Sequence, residues 1–288
     1  MNKHAYLIMA HNNFSILSVL LECLDYPAND IYIHIDKKSS DFDATFIPRL
    51  KYSELYFVKR MNVSWGGYSQ IKCEIRLLEE AYKRKYSYYH FISGVDMPLK
   101  RQKEIHTYFD KSGKDHLYIN NKQSINKSYI DKIKYYHWFQ DKLGKHGKGM
   151  LYSIIDYLES RSIQIQKRIN IDRTRKSNIT YYKGGNWFDI TNNMVEWVLC
   201  HKAFIKKYFR CTSCGDEIFL PTLAMMSPYR DNIYTVDFRT VDWTRGTPYI
   251  WGDEDYELLC SSDGFFARKF DEKKSMDIVH RLARRLNN

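Results

Sequence analysis

The sequence has no apolar run approaching the roughly 18 residues that a membrane-spanning helix needs; its best candidate, Ile16–Leu24, already contains Glu22. Glycine (13) and proline (6) are too sparse in 288 residues for a collagen-like or low-complexity chain. Ahead of His11 only Ala5–Ala10 is apolar, shorter than the core of about 7–15 residues in a secretion signal. The expectation is a chain that begins at Met1 and works in the cytoplasm. No GxGxxG follows the first apolar run and no GxxxxGKS/T occurs, which removes the simplest support for dinucleotide redox chemistry and P-loop phosphoryl transfer. HExxH and GxSxG are absent as well, against zinc-protease and serine-hydrolase chemistry. The six cysteines are scattered; Cys211 and Cys214 form a lone CxxC with no second pair to complete a zinc site, so reduced thiols are expected.

What is present is an ordinary globular composition, 44% hydrophobic and 27% charged, with a net charge of +11. The 24 tyrosines and 15 phenylalanines suit packed strands and sugar-binding or base-stacking surfaces. Strand and helix signals alternate in the first third. Ala5–Met9 is a short apolar run, and Ile16, Leu17, Leu20, Leu21 and Leu24 follow at helical spacing with Ser15 placed to cap them. Ile31–Ile35, Leu55–Val58 and Tyr88–Ile92 read as further strands, and 68–84 as a helix with Ile71, Ile75, Leu78 and Tyr82 on one face. This alternation predicts an α/β fold with a mostly parallel sheet and ligands at the carboxyl ends of the strands. From about 111 to 183 the rhythm is lost. Ser160–Lys183 carries Arg161, Lys167, Arg168, Arg173, Arg175, Lys176 and Lys183 against Asp172 alone, either an acceptor-side or membrane-facing surface or a plain solvated face. Compact signals return at Gly184–Ile190, in a helix over Asn192–Phe209, at Gly215-Asp216-Glu217 and in a C-terminal helix from about Lys274 that carries Arg281, Arg284 and Arg285. No repeat or linker divides the chain.

Several polar residues sit where strands end. Asp36 can accept from a uridine ring or a ribose hydroxyl, or simply cap a turn. His11 and Asn12 end the first strand and can meet a base edge, and Asp96 precedes Met97-Pro98 in a turn. Trp65-Gly66-Gly67-Tyr68-Ser69 joins aromatic faces to glycines that permit close approach, as a ligand wall or as a bare helix entry. The acidic pairs Asp41/Asp43 and Asp253/Asp255 are weak metal candidates, the second in a run expected to start a helix.

In order along the chain stand His4-Ala5-Tyr6-Leu7-Ile8-Met9-Ala10-His11, Ile33-His34-Ile35-Asp36-Lys37-Lys38-Ser39, Ser64-Trp65-Gly66-Gly67-Tyr68-Ser69, and Phe91-Ile92-Ser93-Gly94-Val95-Asp96-Met97-Pro98-Leu99-Lys100. Asp216-Glu217 and Phe265-Phe266-Ala267-Arg268-Lys269-Phe270-Asp271 follow. Over roughly residues 3–110 and 180–275 this resembles the core-2/I-branching β-1,6-N-acetylglucosaminyltransferase family, which includes the peptide O-xylosyltransferases and bacterial members. The resemblance implies a GT-A glycosyltransferase fold, a Rossmann-like nucleotide-binding half with a mixed central sheet flanked by helices. It implies one domain over 1–288: a nucleotide-sugar half to about 110, a basic helical and loop insertion over about 111–183, and an acceptor and catalytic half from about 184. It further implies inverting transfer from a UDP-sugar, with no cofactor and no obligatory divalent metal. Glu217 matches the catalytic base; Arg245 and Lys269 match the two cations on the donor diphosphate, with Arg239 competing for the first place. His11 and Asp36 match nucleotide contacts, with Ala10 and Asp96 beside them, and Trp65, Gly66, Trp187, Asp216 and Trp243 fall to the sugar pocket. The membrane anchor and wider cysteine set of animal members are missing, which argues against the secretory pathway.

The residue chemistry agrees. Inverting transfer needs a base on the acceptor hydroxyl, opposite the leaving group. The departing diphosphate gathers negative charge, which Arg245, Arg268 and Lys269 can neutralise in place of a metal. Arg268 and Lys269 are adjacent, so in a strand only one faces the phosphates, and Lys269 is the choice. The expected partners are a UDP-sugar (N-acetylglucosamine first, galactose or xylose possible), a glycan or lipid-linked oligosaccharide acceptor, and an anionic membrane met peripherally, without nucleic acid. On residues alone, a base-stacking nucleic-acid-binding module and a two-carboxylate glycosidase stay open.

Overall fold

The computed structural model describes residues 2–120, 127–145, 147, 149–175, 178–236 and 238–287; Lys176 of the basic stretch lies outside them. Apolar runs without polar alternation become central strands because both their faces are covered. β1 (His4–Ala10) and β2 (Asn29–Ile35) are buried almost throughout, and α1 (Phe14–Leu24) crosses between them. β3 (Glu54–Phe57), α2 (Tyr68–Tyr82), β4 (Tyr88–Ser93), the two-residue β5 (Met97–Pro98) and α3 (Gln102–Ser112) complete the first third. The middle supplies β6 (Asp115–Ile119), α4 (Lys127–Lys134), α5 (Gln140–Leu143) and α6 (Met150–Arg168). Then come β7 (Gly184–Thr191), α7 (Asn192–Cys200), α8 (Lys202–Phe209), α9 (Asp216–Met226), β8 (Ile233–Tyr234), β9 (Arg239–Val241), α10 (Tyr256–Cys260), β10 (Phe266–Arg268) and α11 (Glu272–Asn287).

The large sheet runs β3-β2-β1-β4-β7-β6-β8. Its first four strands are parallel, whereas β7 is antiparallel to both β4 and β6, with Phe91 opposite Phe188. The sheet is thus mixed rather than wholly parallel, and helices flank it. A small sheet, β5-β10-β9, stands beside it. The chain steps outward from β1 to β3 and then returns to β4 on the other side of β1, so the strand order reverses at β1/β4. A crevice at the carboxyl ends of the strands opens at such a reversal. The reversed direction of β7 brings its first residues, rather than its last, to the same end of the sheet.

Alternate residues of β1 feed opposite cores. Tyr6 and Ile8 pack with α1, α11 and Phe266, while Ala5 and Leu7 pack with α2, α7 and α9. Ser15 does not cap α1: Asn13 takes that place in the left-handed region (φ 55°), where its side-chain oxygen accepts the Glu272 N–H at 3.0 Å. The backbone N–H of Ser15 donates instead to Glu272 at 2.6 Å, tying α1 to α11. The single helix expected over Asn192–Phe209 is two, broken at His201.

Arg239 is removed from the donor site by its surroundings. It is buried and clamps Asp189 of β7 through both carboxylate oxygens, at 2.8 and 3.0 Å, joining the small sheet to the large one. Nδ1 of His90 lies 2.8 Å from the same carboxylate. Burial alone would raise the Asp189 carboxyl, but the guanidinium and His90 outweigh it and hold it at about 2.

Candidate active site

At the crevice, β1 and β4 end in close approach. A Cβ on Gly94 would meet that of Ala10 at 2.7 Å, so glycine is required there. Ala10 accepts the Asp36 N–H at 2.9 Å, which aligns the ends of β1 and β2. Asp36 is buried and turns its side chain back on its own loop, accepting from Lys38 N at 2.9 Å, while its carbonyl takes an Arg60 N–H at 2.7 Å. It thus forms the turn that places His11, whose carbonyl accepts from Ser39 Oγ at 2.6 Å.

His11 is exposed, with protein packed closely enough around its imidazole to desolvate it in part. Burial lowers its pKa; Asp36 opposes this, while Lys269, Arg268 and Lys38 reinforce it. Both cations at the end of β10 thus act on His11 through their charge. Arg268 is held by three partners. It donates to Ser93 Oγ at 2.8 Å, lies 3.3 Å from Asp96 Oδ1 and stacks over Trp187 at 4.6 Å. Asp96 also accepts from Ser93 N and Oγ; both its oxygens are spent on the turn and on Arg268, so it orients a cation instead of facing a nucleotide. Burial and the Arg268 charge lower Lys269. Its backbone is fixed by Tyr249 and Trp251, on either side of the peptide.

Arg245 belongs to the loop that carries those two residues. Asp242 at 2.5 Å and Asp255 at 2.8 Å neutralise it, and its guanidinium lies 3.9 Å over Tyr249. Its charge is committed there, one step removed from Lys269. Trp243, on the same loop, is exposed, and among the described residues no ring contact joins it to Trp65 or Trp187. The acidic pairs are likewise spent: Asp43 accepts Thr45 N, and Asp253 pairs with Arg281.

The acids of the site stand at the start of α9. Gly215 precedes it because a Cβ would meet Thr212 Oγ1 at 2.3 Å. Asp216 and Glu217 fall in the first turn, where acids suit the helix dipole. Asp216 does not cap the helix; it is buried and accepts from Gln70 at 3.1 Å and Asn186 at 3.0 Å. Glu217 is half-exposed, and its Oε2 accepts from Tyr129 at 2.9 Å. Tyr129 lies in the segment whose sequence showed no rhythm; Lys183 at 3.8 Å and Lys132 at 4.3 Å sit over its ring. The Trp65-Gly66 loop closes this wall. Gly66 has φ 68° and accepts Cys214 N at 2.7 Å, and Trp65 is exposed with Lys145 over its ring at 5.6 Å. Lys145 also bears on Lys269. Asn186 and Trp187 of β7 link the two walls, one holding Asp216 and the other Arg268. Tyr129, Asn186 and Lys145 were not singled out in the sequence; no motif marks them, and only the fold brings them here.

Burial, then the charge of Glu217, raises Asp216 to about 7. An acid raised in this way binds its proton more tightly in the native than in the unfolded chain. Its contribution therefore weakens the fold as pH climbs from about 4 to about 7, and changes no further above that. At about 1.4 kcal/mol per unit the loss is on the order of a few kcal/mol. Asp216→Asn is expected to reduce that slope, so denaturation midpoints at about pH 5 and about pH 8 should lie closer together than in the parent. An unchanged slope would assign the loss to another group, of which the fully buried Glu74 is the neighbour.

His4, His106 and Asp110 bring three ligand-type atoms within 4.8 Å of one another. They lie at the amino end of β1, away from the cleft, and the two rings stack at 3.8 Å. A hollow of about 760 Å³ beside Tyr108, His116 and Tyr234 is likewise at the β6–β8 edge. Among the described residues no helix is long and apolar enough to cross a membrane. Of the C-terminal arginines, Arg281 pairs with Asp253 and Arg285 donates to the Leu99 carbonyl.

Comparison with known proteins places these features. A human beta-1,3-galactosyl-O-glycosyl-glycoprotein beta-1,6-N-acetylglucosaminyltransferase is 26% identical over 106 residues, 35% of this chain and 25% of that protein. A xylosyltransferase of Ciona intestinalis is 21% identical over 306 aligned residues, 96% of this chain and 33% of that one. The matched parts thus span between a quarter and a third of these relatives. The crystal structure of the galactosyltransferase LgtC with donor and acceptor sugar analogs superimposes with a TM-score of 0.44 at 9% identity, over 99% of this chain and 96% of that one. The model of the Core-2/I-Branching enzyme family matches residues 4–258, running through the basic middle that the motifs skipped and ending before Lys269. The chain belongs to the core-2/I-branching enzyme family.

Proposed function

We propose that this chain is an inverting glycosyltransferase that moves a sugar from a UDP-sugar to a hydroxyl of a glycan acceptor, with fixed cations in place of a divalent metal. N-acetylglucosamine is the first choice of sugar, ahead of galactose and xylose, and the acceptor is a surface polysaccharide or lipid-linked glycan of a bacterial type. The reading rests on one observation: β7 carries, on adjacent residues, the Asn186 that holds Asp216, the neighbour of the half-exposed Glu217, and the Trp187 that stacks with Arg268, the neighbour of Lys269. In this scheme Glu217 takes the proton of the acceptor hydroxyl as its oxygen bonds to the anomeric carbon. The bond from that carbon to the diphosphate breaks on the opposite face, and the electrons leave with UDP. Arg268, preset by Ser93, Asp96 and Trp187, and Lys269 meet the charge that develops without reorganising. His11 and the ends of β1 and β2 receive the nucleotide. The half up to about residue 110 is the donor side and that from about 184 the chemical side, while the middle contributes Tyr129 and Lys145.

A two-carboxylate glycosidase has less support, because Asp216 is buried and held and Asp96 is spent. Lys269→Ala is expected to weaken UDP binding roughly ten- to hundredfold, the 1.5–3 kcal/mol of a hydrogen bond to a charged group. UDP should raise the melting temperature of the parent more than that of the variant. Transfer should persist in excess chelator. Strict dependence on Mn²⁺, or unaltered UDP affinity in the variant, would overturn the cationic scheme.

A further inference from the structure

The helix α6 is inside out for a surface helix. Its buried residues are polar: Glu159 Oε2 accepts from Phe139 N at 3.1 Å, Oε1 lies 3.0 Å from His137 Nδ1, and Gln166 pairs with both backbone groups of Tyr136. Its outward face is apolar. Met150 is 82% exposed, Leu151 71%, Ile154 49%, Leu158 46% and Ile165 55%, with Ile169 beyond the end at 63%. At 100° per residue these side chains form one stripe about four turns long, whereas an ordinary surface helix turns such a stripe to the core.

Cations accompany the stripe. Arg161 and Arg168 fall within it, and neither is ion-paired among the described residues; Lys142 and Lys145 are exposed just before the start of the helix. Asp156 is the helix's one exposed acid and lies on its far flank. The start of α6 stands beside the cleft, because α5 just before it grips the Trp65 loop: Gln140 donates to the Trp65 carbonyl at 3.1 Å, and Asp141 accepts from Ser69.

We propose that the outward face of α6 docks on an anionic lipid bilayer, lying in the headgroup plane, so that the cleft faces acceptors carried by lipid. Apolar side chains with interspersed and flanking cations are what an interfacial helix presents to such a surface. A second copy of the chain fits less well, since a twofold contact through this face would bring Arg161 and Arg168 of both copies, four like charges, into one interface. The acceptor half of the inference rests on the glycosyltransferase reading; the docking itself does not.

The test is flotation of the full chain with phosphatidylcholine vesicles, with and without phosphatidylglycerol, in the absence of substrate. The parent should float with the anionic vesicles and lose them as salt rises. The double variant Leu151→Glu/Ile154→Glu, at exposed positions that leave the fold intact, should bind at least about tenfold more weakly with its melting temperature and UDP affinity unchanged. Arg161→Gln/Arg168→Gln should lose the preference for anionic over neutral vesicles. Failure of the parent to float overturns the proposal. So does equal binding by the Leu151/Ile154 variant, or a concentration-dependent dimer in light scattering that this variant abolishes. Vesicle binding without any UDP-sugar affinity would leave the docking standing and remove the transferase reading.

Discussion

Replacing Glu217 by glutamine is expected to cut sugar transfer by about 10²–10⁴-fold while leaving UDP-sugar affinity within about twofold. Glutamine keeps the length of the side chain and an oxygen that can accept the Tyr129 hydroxyl, now 2.9 Å from Oε2. What it loses is the ability to take a proton. Initial rates with saturating donor, together with calorimetric UDP binding, separate the two effects. A variant that retains more than about a tenth of the parent rate would remove Glu217 as the base. Asp216→Asn then serves as the comparison, because Asp216 shares the same helical turn but is buried and already engaged by Gln70 and Asn186. Its loss should alter stability and the placement of Asn186 before it alters proton transfer.

Arg239→Ala is expected to destabilise the fold by about 3–5 kcal/mol, the usual consequence of stranding one member of a buried ion pair. Asp189 would remain fully enclosed, with His90 as its polar neighbour. A typical domain has only about 5–15 kcal/mol in hand, so this variant should show a clear fall in urea midpoint. Substituting both partners, Arg239→Met with Asp189→Leu, should recover much of the loss, because no unpaired charge is then left inside. If Arg239 bound donor phosphate instead, its substitution would weaken UDP binding at nearly unchanged stability. That outcome would contradict the buried clamp.

The parallel half of the sheet was legible because strands covered on both faces are written as apolar runs; Ala5–Met9 and Ile31–Ile35 needed no further evidence. β6 was not, because Asp115 and His116 are polar yet buried, inside a cluster that forms only once β7 and β9 are in place. The choice between Arg239 and Arg245 could not come from spacing. That Arg239 is enclosed against Asp189, fifty residues away in sequence, is visible only in the fold. Asp36 and Asp96 stand after strands and hold turns, and at such positions a carboxylate that forms the turn looks the same in sequence as one that meets a ligand. The middle segment gave least, for a physical reason. Its longest helix turns polar residues inward and apolar ones outward, so reading it as a core element would invert it, and Tyr129 has no neighbour in sequence to mark its contact with Glu217.

The reversed direction of β7 has a consequence for how such a cleft can diversify. One wall is made of residues that follow β1, β2 and β4, each locked to its neighbour by the strand ladder. The wall bearing Glu217 is made of residues that precede β7 and open α9, where long connections arrive from the middle of the chain. Beyond the β4–β7 ladder, side chains join the two where Arg268 stacks on Trp187 and Gln70 donates to Asp216. Insertions and substitutions ahead of β7 can therefore reshape one rim without shifting the register of the other, so that a conserved grip on one reactant is compatible with free exchange of the second.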